Sequence, residues 1–119
     1  MGQAVRPTTG MTEFVCVRPD GERVAVTVAI GHPYPTSGGD WACPVEITRL
    51  HGRILDIHGI DSLQALCLAT RLAGTLLRAF VADGGRILDP RTGNDVPLDG
   101  YFELAPAAGK RVKARRRRS

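Results

Sequence analysis

A chain of 119 residues has room for one domain with one hydrophobic core, and none for a second. With 43% apolar but only 5% aromatic residues, that core must be built from Val, Leu, Ile and Ala. The formal charge of +4 belongs to one end of the chain. Lys110, Arg111, Lys113, Arg115, Arg116, Arg117 and Arg118 all fall in the last ten residues, and residues 1–105 hold nine basic against twelve acidic side chains, a net of −3. An acidic body with a basic tail excludes a fold that is basic throughout.

Cys16, Cys43 and Cys67 form no CxxC pair, are odd in number and each sit in an apolar run. That pattern points to buried free thiols in a reducing compartment. The N-terminus lacks a basic-then-apolar signal pattern, and no apolar run approaches the roughly 20 residues needed to span a bilayer. A soluble cytoplasmic protein that does not engage a membrane is therefore expected.

Residues 1–12 are rich in Gly, Pro and Thr without periodicity and read as a disordered leader, with Met11 as able to start the chain as Met1. A single domain over residues 13–105 follows. Residues 14–18 and 22–30 are β-rich runs joined by Pro19-Asp20-Gly21, the composition of a tight turn, and predict an antiparallel hairpin. In the second run Val24, Val26, Val28 and Ile30 alternate with Arg23, Ala25, Thr27 and Ala29, so one face is buried and the other wet.

Residues 31–40 contain two prolines and three glycines, which exclude both helix and ladder. Alternation resumes over residues 41–49, with Pro44 marking an edge or a bulge. Of the two loops that could join residues 41–49 to 53–58, only a three-residue Leu50-His51-Gly52 loop, with Gly52 left-handed, keeps Val45, Ile47, Leu55 and Ile57 on one face. That register pairs Arg49 with Arg53 and sets Glu46 against Asp56.

The only long helical pattern begins at Asp61, an N-cap whose capping-box partner is Gln64. Leu63, Ala65, Leu66, Ala69, Leu72, Ala73, Leu76, Leu77 and Phe80 fall on one wide apolar arc, and Asp83-Gly84-Gly85 supplies the stop. Gly74 inside the helix implies close approach by a neighbour. Residues 86–89 and 96–104 are short strand-like pieces around a Pro/Gly/Asn loop, a second hairpin or an extension of the sheet. Residues 106–119 have no apolar content able to fold and read as a disordered basic tail. The expected fold class is α+β: an antiparallel meander of about four strands packed on one long helix, with a small C-terminal hairpin.

Candidate chemistry is sparse. The segment from His32 to Trp41 gathers an imidazole, a phenol, a carboxylate and the single indole on a Gly/Pro frame, so His32, Tyr34, Asp40 and Trp41 are the candidate protein-binding residues. A Cys43–His32 thiolate–imidazole pair is opposed by the inward register of Cys43. Glu46, Asp56 and His58 share the outer face and have the donor types of a divalent-ion site, but lack identifiable supporting partners, so no metal or other cofactor is assigned. Glycine-rich phosphate loops, GxSxG and HExxH are absent from the sequence.

Residues 38–45, GGDWACPV, and 59–66, GIDSLQAL, resemble the corresponding segments of a small bacterial domain family of unknown function carrying GGDWxCP and G-[IV]-DSLQAL. The resemblance spans about residues 32–77 and implies a stand-alone small bacterial cytoplasmic protein with a helix starting at Asp61. It implies no activity and no cofactor. The resulting expectation is a non-enzymatic protein-binding module that presents residues 32–41 and the neighbouring sheet edge to a partner protein; a homodimer, in which a second copy covers the excess apolar arc of the helix, is compatible with it. The alternative is a nucleic-acid-associated protein whose tail, through Lys110, Arg111, Lys113 and Arg115 to Arg118, attracts phosphates without sequence preference.

Overall fold

The computed structural model describes residues 7–102, apart from the side chains of Arg53 and Leu55. The basic tail and residues 103–105 lie outside the described residues. Among the described residues six strands form one antiparallel sheet: β1 (Thr8–Val17), β2 (Arg23–Gly31), β3 (Tyr34–Pro35), β4 (Trp41–Ile47), β5 (Gly52–Gly59) and β6 (Arg86–Leu88). One long helix, α1 (Ser62–Ala82), covers one face, and a single turn, α2 (Leu98–Tyr101), follows β6. The fold is α+β.

The β1–β2 hairpin closes at Pro19-Asp20-Gly21, where Gly21 takes a φ of 94° and its N–H donates to the Arg18 carbonyl at 2.8 Å. Its register places Phe14 opposite Val26 and Cys16 opposite Val24, all buried toward the helix side. Strand β1 begins at Thr8 rather than near residue 13, because β2 is long enough to pair with it as far as Gly31. Strand β2 continues into β4 through Val28↔Ile47 and Ile30↔Val45, and β5 takes the opposite edge of β4.

Two features depart from the sequence expectation in this region. Tyr34 and Pro35 form a short strand on the start of β4, pairing with Ala42 and Trp41. Thr36 N–H donates to the Asp40 carbonyl at 2.8 Å, and the alternation from there turns Tyr34 toward β4 and the nitrogens of both neighbouring prolines toward the open side, where no donor is required. The second departure is register. Cys43 faces Ile57 but Val45 faces Ile54, so β5 carries one extra residue opposite Pro44, which has no N–H to give the ladder. Glu46 consequently stands opposite Arg53 rather than Asp56, and a four-residue turn at 48–51, rather than a three-residue loop, joins Ile47 to Gly52. Arg49 at φ 67° and Gly52 at φ 69° absorb the reversal.

Helix α1 starts as its local sequence dictates. Asp61 accepts from Gln64 N–H at 2.8 Å, and the Gln64 side chain reaches back to Ile60 N–H at 2.8 Å. At the other end Gly84 N–H bonds the Val81 carbonyl and Gly85 N–H the Phe80 carbonyl, the paired bonds of a Schellman stop, with Gly84 at φ 104°. The helix lies chiefly against β4 and β5. Its contact ridge is Ala65, Ala69, Ala73 and Leu77, all fully buried at four-residue spacing. Small residues let the helix axis come close to the sheet, so the covered strip is narrower than the expected arc. Leu66, Leu72 and Leu76 are half-buried and Leu63 is 67% exposed, while Gly74 is buried.

By length and composition α1 alone would pass as a membrane span, with 21 residues and a mean hydropathy of 1.5, contrary to the reading that no run comes near that threshold. Here its most buried ridge is sealed against the sheet. After the helix, β6 extends the sheet beside β1, through Cys16↔Ile87, and a bridge from Leu88 to Asp95 turns the chain back. Leu98–Tyr101 is helical rather than strand-like, and Tyr101 packs edge-on against Phe14 with ring centroids 5.5 Å apart.

Backbone meets backbone closely where β5 runs into α1. A Cβ on Gly59 would sit 2.5 Å from the Ala65 backbone nitrogen and 2.9 Å from its Cα, and backbone cannot yield as a side-chain tip can. Gly59→Ala is expected to lower stability by about 1–3 kcal/mol through overpacking, read as a reduced urea midpoint. A loss below about 0.5 kcal/mol would show that the helix can lift off the strand end.

Candidate functional site

Across the β3, β4 and β5 end of the sheet, Tyr34 is paired with Ala42 and Ala42 with His58, so the three stand in one row on the face away from α1. The two-residue period adds Thr36, Asp40 and Asp56 to that face. Their side chains close on one another. The Tyr34 hydroxyl donates to Asp56, the Thr36 hydroxyl donates to Asp40, and His58 Nδ1 lies 2.7 Å from Asp40 Oδ2. Two side-chain links therefore tie the 34–40 segment across β4 to β5, over an Ala42 that is fully buried.

The Thr36 hydroxyl first, and then His58, hold the Asp40 carboxyl below the usual Asp range. The His58 side chain remains 58% exposed, with Nδ1 turned to Asp40 and the rest of the imidazole on the surface. Thr36 N–H to Asp40 O and Gly39 N–H to Thr36 O brace the tip, where Gly39 adopts φ 95°. The segment is thus a short stapled hairpin.

Of the four residues singled out by sequence, the structure brings together two. Tyr34 and Asp40 share the outer face. His32 is exposed and its backbone N–H bonds the Pro7 carbonyl at 3.1 Å, so it sits at the base of the segment. Trp41 belongs to the opposite face, paired with Pro35 and Gly59 and packed against the core. One step of register separates it from the row containing Ala42.

Gly59, Ile60 and Leu63, the last of which periodicity places on the apolar arc of the helix, complete this end of the molecule. Gly59, the cross-strand partner of Trp41, is pressed under the first turn of α1. Just beyond it Ile60 is 76% exposed and Leu63 67% exposed. The same end of the sheet therefore presents a polar, stapled outer face and, around the helix start, an apolar group beside half-buried Trp41. Asp56 and His58 were considered by sequence only as metal donors. Their local signal was the alternation of β5, and their partners lie 22 and 18 residues away.

Among the described residues no group of three or more His, Cys, Asp and Glu side chains gathers to hold a metal ion, and Glu46 is directed to the Arg53 position of the ladder. Among the described residues no polar or charged residue is fully buried. Cys43 donates from Sγ to the Gly31 carbonyl at 3.3 Å, and burial, with the charge of Asp56, raises its thiol pKa. Burial drives the Cys16 thiol up to about 11. Cys67, expected to be buried, is exposed on α1, since the ridge that meets the sheet passes through Ala65 and Ala69 instead. The seven basic tail residues proposed for nucleic acid lie outside the described residues.

A two-layer α+β domain with a stapled hairpin at one end of its sheet is the class defined by this geometry. The chain belongs to the family described as a domain of unknown function, DUF6968, whose model matches residues 13–95. The match takes in the second half of β1 and runs to the bridge at Asp95, leaving α2 outside. No curated protein and no solved structure matches the chain.

Two outcomes follow from this chemistry. A carboxyl with a depressed folded-state pKa contributes stability that is complete above the ordinary Asp value of about 3.9 and is lost as pH falls through the folded value. Asp40→Asn should therefore weaken the fold at neutral pH and flatten the acid limb of a urea-midpoint profile below about pH 4; an unchanged acid limb would show that the link to Thr36 and His58 carries no folding energy. In thiol labelling of the native protein, Cys67 should react at once, and Cys16 and Cys43 only on the timescale of opening. Uniform labelling of all three would contradict the packing.

Proposed function

We propose that the chain is a non-enzymatic protein-binding module whose contact surface is the β3–β4–β5 end of the sheet together with the start of α1. The observation that carries the reading is the exposure of Ile60 and Leu63, at 76% and 67%, immediately beside a polar face held in one conformation by Tyr34–Asp56 and Asp40–His58. Protein interfaces combine a few apolar anchors with a polar rim. Burying each aliphatic anchor is worth about 1.5–3 kcal/mol, and a rim that is already ordered loses little conformational freedom on association. His32, Tyr34, Asp40 and His58 form the rim in this reading. Trp41 supports the surface from beneath instead of serving as an anchor.

The test uses Ile60→Asp combined with Leu63→Asp, changes at exposed positions that leave the core ridge of α1 intact. Affinity capture with the wild-type chain should retain a defined protein partner, and the double variant should lose it by more than about tenfold while keeping its far-UV spectrum and urea midpoint. Where the retained protein is a second copy of the chain, the same pair of substitutions should move the sedimenting mass from dimer to monomer. Equal retention by both proteins, or no retention by the wild type, would remove the proposal.

A further inference from the structure

At the opposite end of the sheet, β6 pairs with β1 only through residues 15–17. The rest of that edge of β1, residues 8–14, has no strand beside it among the described residues, although its other edge is paired with β2 throughout. In an antiparallel sheet alternate residues of such an edge turn their N–H and C=O groups outward, ready to accept another strand. This edge forms the wall of a groove of about 560 Å3, whose remaining sides are the 89–97 loop and Tyr101. Tyr101 is tied to the edge itself, its hydroxyl 3.1 Å from Thr12 Oγ1 and its ring on Phe14.

Three observations name an occupant. The described chain ends at Phe102, one residue beyond Tyr101, which lines the groove. Residues 103–119 include seven Lys and Arg between positions 110 and 118, and the eight residues from Phe102 to Lys110 supply roughly 26 Å of extended chain, enough to double back along β1. The third observation is charge. Asp89 and Asp95 on the groove wall are each matched by an arginine, Arg91 and Arg86, whereas Glu13 is exposed and makes no ion pair among the described residues. Residues 1–102, with nine basic against eleven acidic side chains, carry a net of −2, which adds a diffuse attraction for a cationic segment.

We infer that the groove beside residues 12–14 is the docking site of this chain's own C-terminal segment, residues 103–119, which adds to the β1 edge as an extended strand with its basic side chains directed to Glu13. Docking of this kind gains main-chain hydrogen bonds from the strand edge and selectivity from the flanking charge. Because tail and groove are covalently joined, the association is intramolecular and does not weaken on dilution. It also occupies the tail, which is then withdrawn from polyanions.

Hydrogen–deuterium exchange on the full-length chain tests this. The outward amides within residues 10–14 should exchange slowly in the wild type. Protection should fall about tenfold when the seven basic tail residues are changed to Gln, and also with Glu13→Lys, an exposed substitution that leaves the core intact. Raising ionic strength to about 0.5 M should act in the same direction. A short single-stranded oligonucleotide should bind a Glu13→Gln variant more tightly than the wild type because the tail is released, and this gain should vanish when the seven tail residues are also changed to Gln. Exchange at residues 10–14 that is the same in the wild type and the Gln-tail variant overturns the inference, as does oligonucleotide affinity indifferent to residue 13.

Discussion

The contact on which the architecture turns is the seating of the first turn of α1 directly on the end of β5. Gly59 lies so near the Ala65 backbone that no side chain fits between them, and from that point the Ala65, Ala69, Ala73 and Leu77 ridge runs down over β4 and β5. Alanine contributes less buried area per residue than leucine, but it brings the helix close enough for Val45, Ile47 and Val26 to be sealed completely or nearly so. Asp61 and Gln64 fix the start of the helix at this contact by satisfying N–H groups of its first turn and of Ile60. Residues 38–45 and 59–66 are thus neighbours in space, joined by the Trp41↔Gly59 pair, and much of their residue choice is explained by that junction.

The same junction separates the polar staples from the apolar group. Because strand residues alternate, pinning Trp41 under the helix side commits Ala42, and with it Tyr34 and His58, to the outer face. Asp40 can then meet His58, and Tyr34 can meet Asp56, across a β4 whose outward residue there is a methyl group. A larger residue than Ala42 would hold the two sides apart. Ile60 and Leu63 are left in the open because the covered strip of the helix is set by its alanines. Exposure on one side and order on the other therefore have a common origin.

What could be read from the sequence was what depends on neighbours within a few positions. The Pro19-Asp20-Gly21 reversal, the alternation of β2, the Asp61–Gln64 cap and the Gly84 stop are all local, and all four are present. The register between β4 and β5 was lost at Pro44, since whether a missing N–H produces a bulge, and on which strand, depends on the partner strand. Strand β3 was hidden by two prolines whose nitrogens face the open side, which composition alone does not reveal. The width of the helix arc was overestimated because periodicity reports which residues share a face and not how much of that face a sheet covers. Of the candidate site, residue types and position in the 32–40 segment were visible. The cross-strand ties to Asp56 and His58 were not, because they depend on long-range pairing.

The placement of β6 beside β1 bears on how the domain is made. Strands β1 to β5 and α1 are consecutive in the chain and pack largely on what was synthesised just before them, so most contacts close short loops and form early. The β6 position is different: among the described strands it waits longest, until residues 86–88 are made and return to the first. Until then the earliest-made strand has an uncovered margin, and a second nascent chain can compete for it.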